Sequence, residues 1–215
     1  VGSGECTLRD SMGYGNGMYK STDAGKTWTH IGLPDSQHIG KIAVDPKNAD
    51  VLFVAVIGHL YAPSAERGVF RSKDGGKSWQ KVLYKDENVG AVEVVIDPTN
   101  SSVVYAGLWN TRRPPWYTYA PSNGPGGGIF KSTDGGTTWK QLTAGLPNAT
   151  IGKTGIAVAP SNPRRVYAVV DCLVPDPSAP PPPAGGGGRG GAQGPPGQGG
   201  FFRSDDAGAT WTKTS

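Results

Sequence analysis

The chain has 215 residues, of which 34 are glycine and 19 proline, so about a quarter of it favours turns and loops over helices. Its 21 basic and 17 acidic residues give a formal charge of +4, but they are mixed along the sequence and form no basic stripe of the kind nucleic-acid binding needs. The best apolar run, residues 51–57, has the length of a strand and falls far short of a membrane-spanning helix.

Taken in order, the chain opens on residues 1–5, which read as the second strand of an incomplete unit. With neither an initiator Met nor a signal peptide, it is expected to start after cleavage or within a longer protein. Gly17-Met18-Tyr19-Lys20 reads as a third strand. It leads into an octapeptide, Ser21-Thr22-Asp23-Ala24-Gly25-Lys26-Thr27-Trp28, that recurs at residues 72–79, 132–139 and 204–211. Each copy keeps Ser, Asp two residues on, Gly two further, then Thr or Ser directly before Trp. The carboxylates of Asp23, Asp74, Asp134 and Asp206 suit the backbone N–H groups of a tight turn, and the Gly suits a positive φ. Trp28, Trp79, Trp139 and Trp211 then start the next strand and offer a large apolar anchor. A catalytic reading of the repeated Asp loses to this one, because no chemistry is needed once per unit.

The distance from the Gly that opens the third strand to the Asp is 6 residues in every copy. From that Asp to the next strand aromatic (Phe53, Tyr105, Tyr167) it is 30, 31 and 33. From the aromatic to the next Gly it is 15, 23 and 33, so one connection grows while the scaffold stays fixed. Apolar runs ending in Asp45-Pro46, Asp97-Pro98 and Ala159-Pro160 supply a first, doubly buried strand for each unit, closed by a proline that cannot donate to a ladder. In the first complete unit the four strands are expected at residues 41–44, 51–56, 69–72 and 78–83, and no helix is needed anywhere.

Repeated four-stranded antiparallel units with a recurrent Trp predict an all-β fold, a segment of a β-propeller with the octapeptides as turns between strands 3 and 4. A sandwich of meanders would not require the same turn at one place in every unit. The expected division is a partial blade over 1–34 and blades over 38–84, 89–145 and 151–215, the last with a Pro/Gly-rich insert over 175–199. That insert buries too little apolar surface to order itself, and its glycine run lacks the Lys-Ser/Thr of a phosphate loop. The end blades would expose unpaired edges, so the remaining blades are expected from further chain or other copies. Cys6 and Cys172 lie in non-adjacent units without a Cys or His at ligand spacing. They read as small apolar strand residues, neither a disulfide nor a zinc site, and no metal or cofactor is expected.

The octapeptides resemble the Asp-box, or bacterial neuraminidase repeat, shared by sialidases, xyloglucan-cleaving propellers, photosystem assembly factors and sortilin-type receptors. Residues 35–46, 57–60, 66–70 and 86–90, with Arg112-Arg113-Pro114-Pro115-Trp116, further resemble large bacterial secreted proteins described as sortilin-like or glycosyl-hydrolase-like. The resemblance implies a longer parent protein and export to the periplasm or exterior, without supplying a reaction.

In a propeller the 2→3 and 4→1 connections share one face, and the octapeptides lie on the other. The loop face is therefore the candidate binding face. It carries His38, His59, Tyr61, Arg67, Trp109, Arg112, Arg113, Trp116 and Tyr117, whose aromatics and guanidiniums suit sugar rings, peptide groups or a carboxylate. For residues 112–116 a self-packed loop is an equal reading, and for His38 and His59 ordinary loop hydrogen bonding is preferred to metal binding or catalysis. Glycoside hydrolysis needs two carboxylates about the scissile bond, and Glu66, Asp86 and Glu87 are the acids available on that face. The Arg-Ile-Pro signature and arginine set of a sialidase are absent from the segment. The leading expectation is a binding or scaffold module for protein, peptide or glycan. The alternatives are part of a glycoside hydrolase and a self-assembling structural repeat.

Overall fold

A computed structural model describes residues 1–7, 12–114, 124–147, 150–177 and 197–215. Trp116, Tyr117, Asn148, Ala149 and most of the Pro/Gly-rich insert lie outside the described residues.

Val-, Ile- and Phe-rich runs form strands wherever the sequence lets one pair with its neighbour in order. β1 (Tyr19–Lys20) pairs with β2 (Thr29–His30), and Gly2 bridges to Met18 beside them. Three four-stranded sheets follow. The first holds β3 (Ile39–Asp45), β4 (Asn48–Val56), β5 (Gly68–Ser72) and β6 (Gln80–Leu83). The second holds β7 (Val89–Ile96), β8 (Val104–Asn110), β9 (Gly128–Ser132) and β10 (Lys140–Leu142). The third holds β11 (Thr154–Val158), β12 (Val166–Val170), β13 (Gly200–Ser204) and β14 (Thr212–Lys213). Every pairing is antiparallel between sequence neighbours, so each sheet is a meander and the molecule is a β-propeller segment.

The structure departs from the sequence reading at two places. A 3-10 turn, Pro34–Ser36, stands between the first two units, entered through Leu33 at φ 56°. The fourth strands begin one residue after the Trp, and in three of the four octapeptides the indole N–H donates back into the turn: Trp28 to the Gly25 carbonyl at 3.1 Å, Trp139 to Gly136 at 3.2 Å and Trp211 to Gly208 at 3.1 Å. Trp79 instead reaches the preceding blade, donating to the Ile31 carbonyl at 2.7 Å. Nor are the four Trp equal anchors: Trp211 is 5% exposed and Trp28 48%.

The apolar cores lie between consecutive sheets. Phe53, Ala55 and Val69 meet Val94, Ala106 and Phe130, and one blade later Tyr105 and Ile129 meet Val158, Ala168 and Phe202. Each such Val, Ile or Phe side chain contributes about 1.5–3 kcal/mol by leaving water. The first strands β3, β7 and β11 stand side by side along the inner wall. At the other face a cation of one blade grips the octapeptide of the next: Lys20 Nζ donates to the Gly75 carbonyl at 3.1 Å, Arg71 Nη1 to the Gly135 carbonyl and Lys131 Nζ to the Ala207 carbonyl at 2.7 Å. Of the two cysteines, Cys172 is buried just beyond β12 and Cys6 is exposed. Both are free, and neither lies in a strand as the sequence suggested. No helix among the described residues is long and apolar enough to cross a membrane.

Candidate functional site

Each octapeptide closes on itself by the same set of bonds. In the third copy, Ser132 Oγ donates to Asp134 Oδ1 at 2.8 Å and accepts from the Gly136 N–H at 2.8 Å and the Asp134 N–H at 3.3 Å. Asp134 Oδ1 accepts from the Thr138 N–H at 2.8 Å, and its Oδ2 from the Thr138 hydroxyl at 2.6 Å. The pattern repeats at Asp23, Asp74 and Asp206. A carboxylate holding donors on both oxygens is stabilised in its charged form. The Thr27 hydroxyl, the Thr27 N–H and Ser21 bring Asp23 down to about 2, and the corresponding groups hold Asp74, Asp134 and Asp206 lower still. These acids are committed to their turns and have nothing left for chemistry.

On the loop face the structure divides the candidates. Arg67 is wholly buried and belongs to the loop's interior. Its Nε donates to the Glu87 carbonyl at 2.8 Å and its Nη2 to that of Ala62 at 3.1 Å. Further bonds go to the carbonyls of Ile57 and His59 and to the Thr111 hydroxyl. With its donors so engaged it has no fork to offer a ligand. Burial, and then the neighbouring Arg112, lowers it to about 10, which leaves it charged at neutral pH. Trp109 is likewise buried, packed with Ile57 and Val92. His38 is buried too, and burial holds its imidazole below the usual value against the opposing pull of the Glu5 carbonyl. All three candidates thus lie in the interior of this chain rather than at its surface.

The groups left at the surface are fewer. Tyr61 is 46% exposed, and the guanidinium of Arg113, a residue that is itself buried, lies over its ring at 5.2 Å. Arg112 is half-buried, and its Nη1 donates to Asn88 Oδ1 at 3.1 Å. His59 is half-buried, and its carbonyl serves Arg67. Of the three acids, Glu66 is half-buried and Glu87 exposed. Asp86 caps its own turn by accepting from the N–H groups of Asn88 at 2.7 Å and Val89 at 3.1 Å.

A second feature, not foreseen from the sequence, opens at the starts of the inner strands. Lys41, Glu93, Lys153, Thr154 and Asp171 line a cavity of about 490 Å³. Burial pushes the Glu93 carboxyl up, opposed by the Lys41 ammonium 3.6 Å away, and burial also raises Asp171. The available signal was Glu93 itself, a lone carboxylate inside the apolar run of β7.

Among curated proteins, the chain is 26% identical over 168 positions to xyloglucanase Xgh74A of Acetivibrio thermocellus, covering 65% of this chain and 17% of that protein. It is 29% identical over 176 positions to a xyloglucanase of Paenibacillus sp, covering 66% and 15%. The chain thus spans about a sixth of the length of these relatives. Among solved structures, an ancestral GH74 enzyme superposes over 100% of this chain and 24% of its own, with a TM-score of 0.64 at 17% identity. The GH74 xyloglucanase from Xanthomonas campestris does so over 97% and 27%, with a TM-score of 0.60 at 16% identity. These likenesses carry the fold. Residues 16–155 match the Sortilin-Vps10 family, described as sortilin, neurotensin receptor 3. Since that match covers more than half of the sequence, the chain belongs to the Sortilin-Vps10 family.

Proposed function

We propose that this segment is a carbohydrate-binding part of an exported Asp-box propeller, and that it contacts a β-glucan chain such as xyloglucan through its loop face. The observation that carries the reading is the Tyr61 ring, held from one side by the buried Arg113 and open to solvent. An amphipathic ring fixed in this way offers a flat apolar surface to the C–H face of a sugar at little entropic cost, and the half-buried Arg112 is the cation we assign to its hydroxyls. The names of the curated relatives support the choice of glucan over protein or peptide. Titration calorimetry with xyloglucan oligosaccharides tests it. The native chain binds, and Tyr61→Ala weakens the affinity by roughly tenfold, about 1.4 kcal/mol. A native chain that binds no xyloglucan, cellulose or mixed-linkage fragment removes the reading.

One observation favours hydrolysis as a second reading. Glu93 and Asp171 are both raised by burial and line one cavity, and a carboxyl shifted upward by its surroundings is the kind of group a general acid draws on. Release of reducing ends from xyloglucan, abolished by Glu93→Gln or Asp171→Asn, would establish it. Loss on Glu66→Gln or Glu87→Gln would place the acid on the outer loops.

A further inference from the structure

The joint between the first two units differs from the two that follow it. In each unit the cation that donates into the next octapeptide sits directly across from a residue of the fourth strand: Lys20 from Thr29, Arg71 from Gln80, Lys131 from Lys140. Residues paired in this way point to the same side of the sheet, here into the joint. Gln80 Oε1 accepts from Arg71 Nη2 at 2.8 Å and closes the space beside that cation. Thr29 is shorter than either Gln80 or Lys140. A cavity of about 720 Å³ opens in its joint, with the β1–β2 hairpin as one wall and the octapeptide at residues 72–79 as the other. Both walls belong to this chain.

Trp79, which lines the cavity, is set differently from the other octapeptide indoles. It crosses the joint to donate to the Ile31 carbonyl at 2.7 Å, where the others bond their own turns. Gly32 leaves room for the ring: a Cβ there would stand 2.9 Å from the indole nitrogen, and φ is 114°. The indole is half-buried and fixed by its hydrogen bond, so a ligand can lie on it at little cost in side-chain entropy.

The polar groups along the walls are mostly donors. Among the described residues, no carboxylate lines the cavity. The neighbouring octapeptide acids, Asp23 and Asp74, spend both oxygens on Thr27 and Ser78 of these same walls. Lys20 is committed to the Gly75 carbonyl, and Asp50 lies on the same side of that glycine. Lys77 is exposed and its ammonium has no partner among the described residues, nor have the hydroxyls of Thr22 and Thr29.

We infer that this cavity is a binding site for an oligosaccharide carrying uronic-acid units. A sugar ring lies on the Trp79 indole, the Thr22 and Thr29 hydroxyls bond to its hydroxyls, and its carboxylate pairs with Lys77. Sites for small organic ligands span about 300–1,000 Å³, so the cavity takes sugar rings where a bare phosphate or sulfate would leave most of it unfilled. The site lies on the octapeptide side of the blades, away from Tyr61, and neither depends on nor supports the β-glucan reading.

Trigalacturonate is the probe, titrated into the whole chain while the indole N–H signals are followed by NMR. The Trp79 signal should shift, and those of Trp139 and Trp211 should stay. Because Lys77 is exposed and unpartnered, Lys77→Gln should keep the parent's circular dichroism and weaken binding about fivefold. Added salt should weaken the native chain's binding more than the variant's. Thr29→Gln installs the residue found in the next joint and should abolish binding by filling the space. An unmoved Trp79 signal at millimolar trigalacturonate, or binding indifferent to both variants, overturns the inference. Equal binding of a neutral xyloglucan fragment removes the role given to Lys77 and overturns it as well. Equal binding of a polyglutamate peptide also overturns it and assigns the cavity to acidic peptides.

Discussion

Ser132 fills the whole hydrogen-bonding capacity of a hydroxyl, one donor to Asp134 and two acceptances from backbone N–H groups, while being almost completely buried. Ser132→Ala leaves the Gly136 N–H without a partner inside the turn, and should cost about 2 kcal/mol in a urea titration. The aspartates make the turn sensitive to acid. Their folded values are depressed, so their contribution is complete above the unfolded value near 4 and is lost as the pH falls through the folded values, at about 2 for Asp23 and lower for the others. The urea midpoint should therefore hold steady from neutral pH to about 5 and fall progressively below about 4. The Asp was legible in the sequence because its partners lie within four residues of it. The Ser at the start of each octapeptide was visible as a recurring residue, but its part in the turn was not, since a serine hydroxyl gives no hint of which two N–H groups will converge on it.

At the scale of an element, Arg67 ties three pieces of chain together. Its side chain holds the carbonyls of Ile57, His59 and Ala62 within its own loop, Glu87 from the connection to the next blade, and Thr111 at the end of β8. Arg67→Met keeps the length of the stem but strands these acceptors, and should lower stability by about 3 kcal/mol, with the same loss in a calorimetric scan. In the sequence, Arg67 sits in a polar loop beside Glu66 and reads as a surface cation. What buries it comes from residues 20 and 44 positions further on, which no local pattern reports. Trp109 was misplaced for the same reason, since its covering residues are Ile57, just past β4, and Val92, in β7 of the next blade. Tyr61 and Arg112, by contrast, stand near the surface, where a loop reading puts them.

The whole molecule is a row of similar sheets, each stabilised mainly by its neighbours. Equivalent residues should therefore differ in cost according to whether a neighbour is present. Phe53→Ala removes a ring buried between two sheets and should cost about 3–5 kcal/mol. Tyr167→Ala, at the same place in the last sheet, should cost less than about 1 kcal/mol when measured by urea titration at low micromolar concentration. The propeller itself was readable from the invariant 6-residue step and the single growing connection, because both are one-dimensional properties of the chain. The joint between blades was not. Lys20, Arg71, Lys131 and Arg203 recur at one position, yet the carbonyl each one seeks belongs to the following unit.

The octapeptide bonds have a consequence in time as well as in space. The Ser and Asp bonds close within five consecutive residues in every copy, so little chain entropy is spent before they form. The chain therefore carries four independent points from which a hairpin can start. The slow step of folding falls to the long connections and the docking of one sheet on the next, and the 33-residue passage between Tyr167 and Gly200 makes the last blade the latest to assemble.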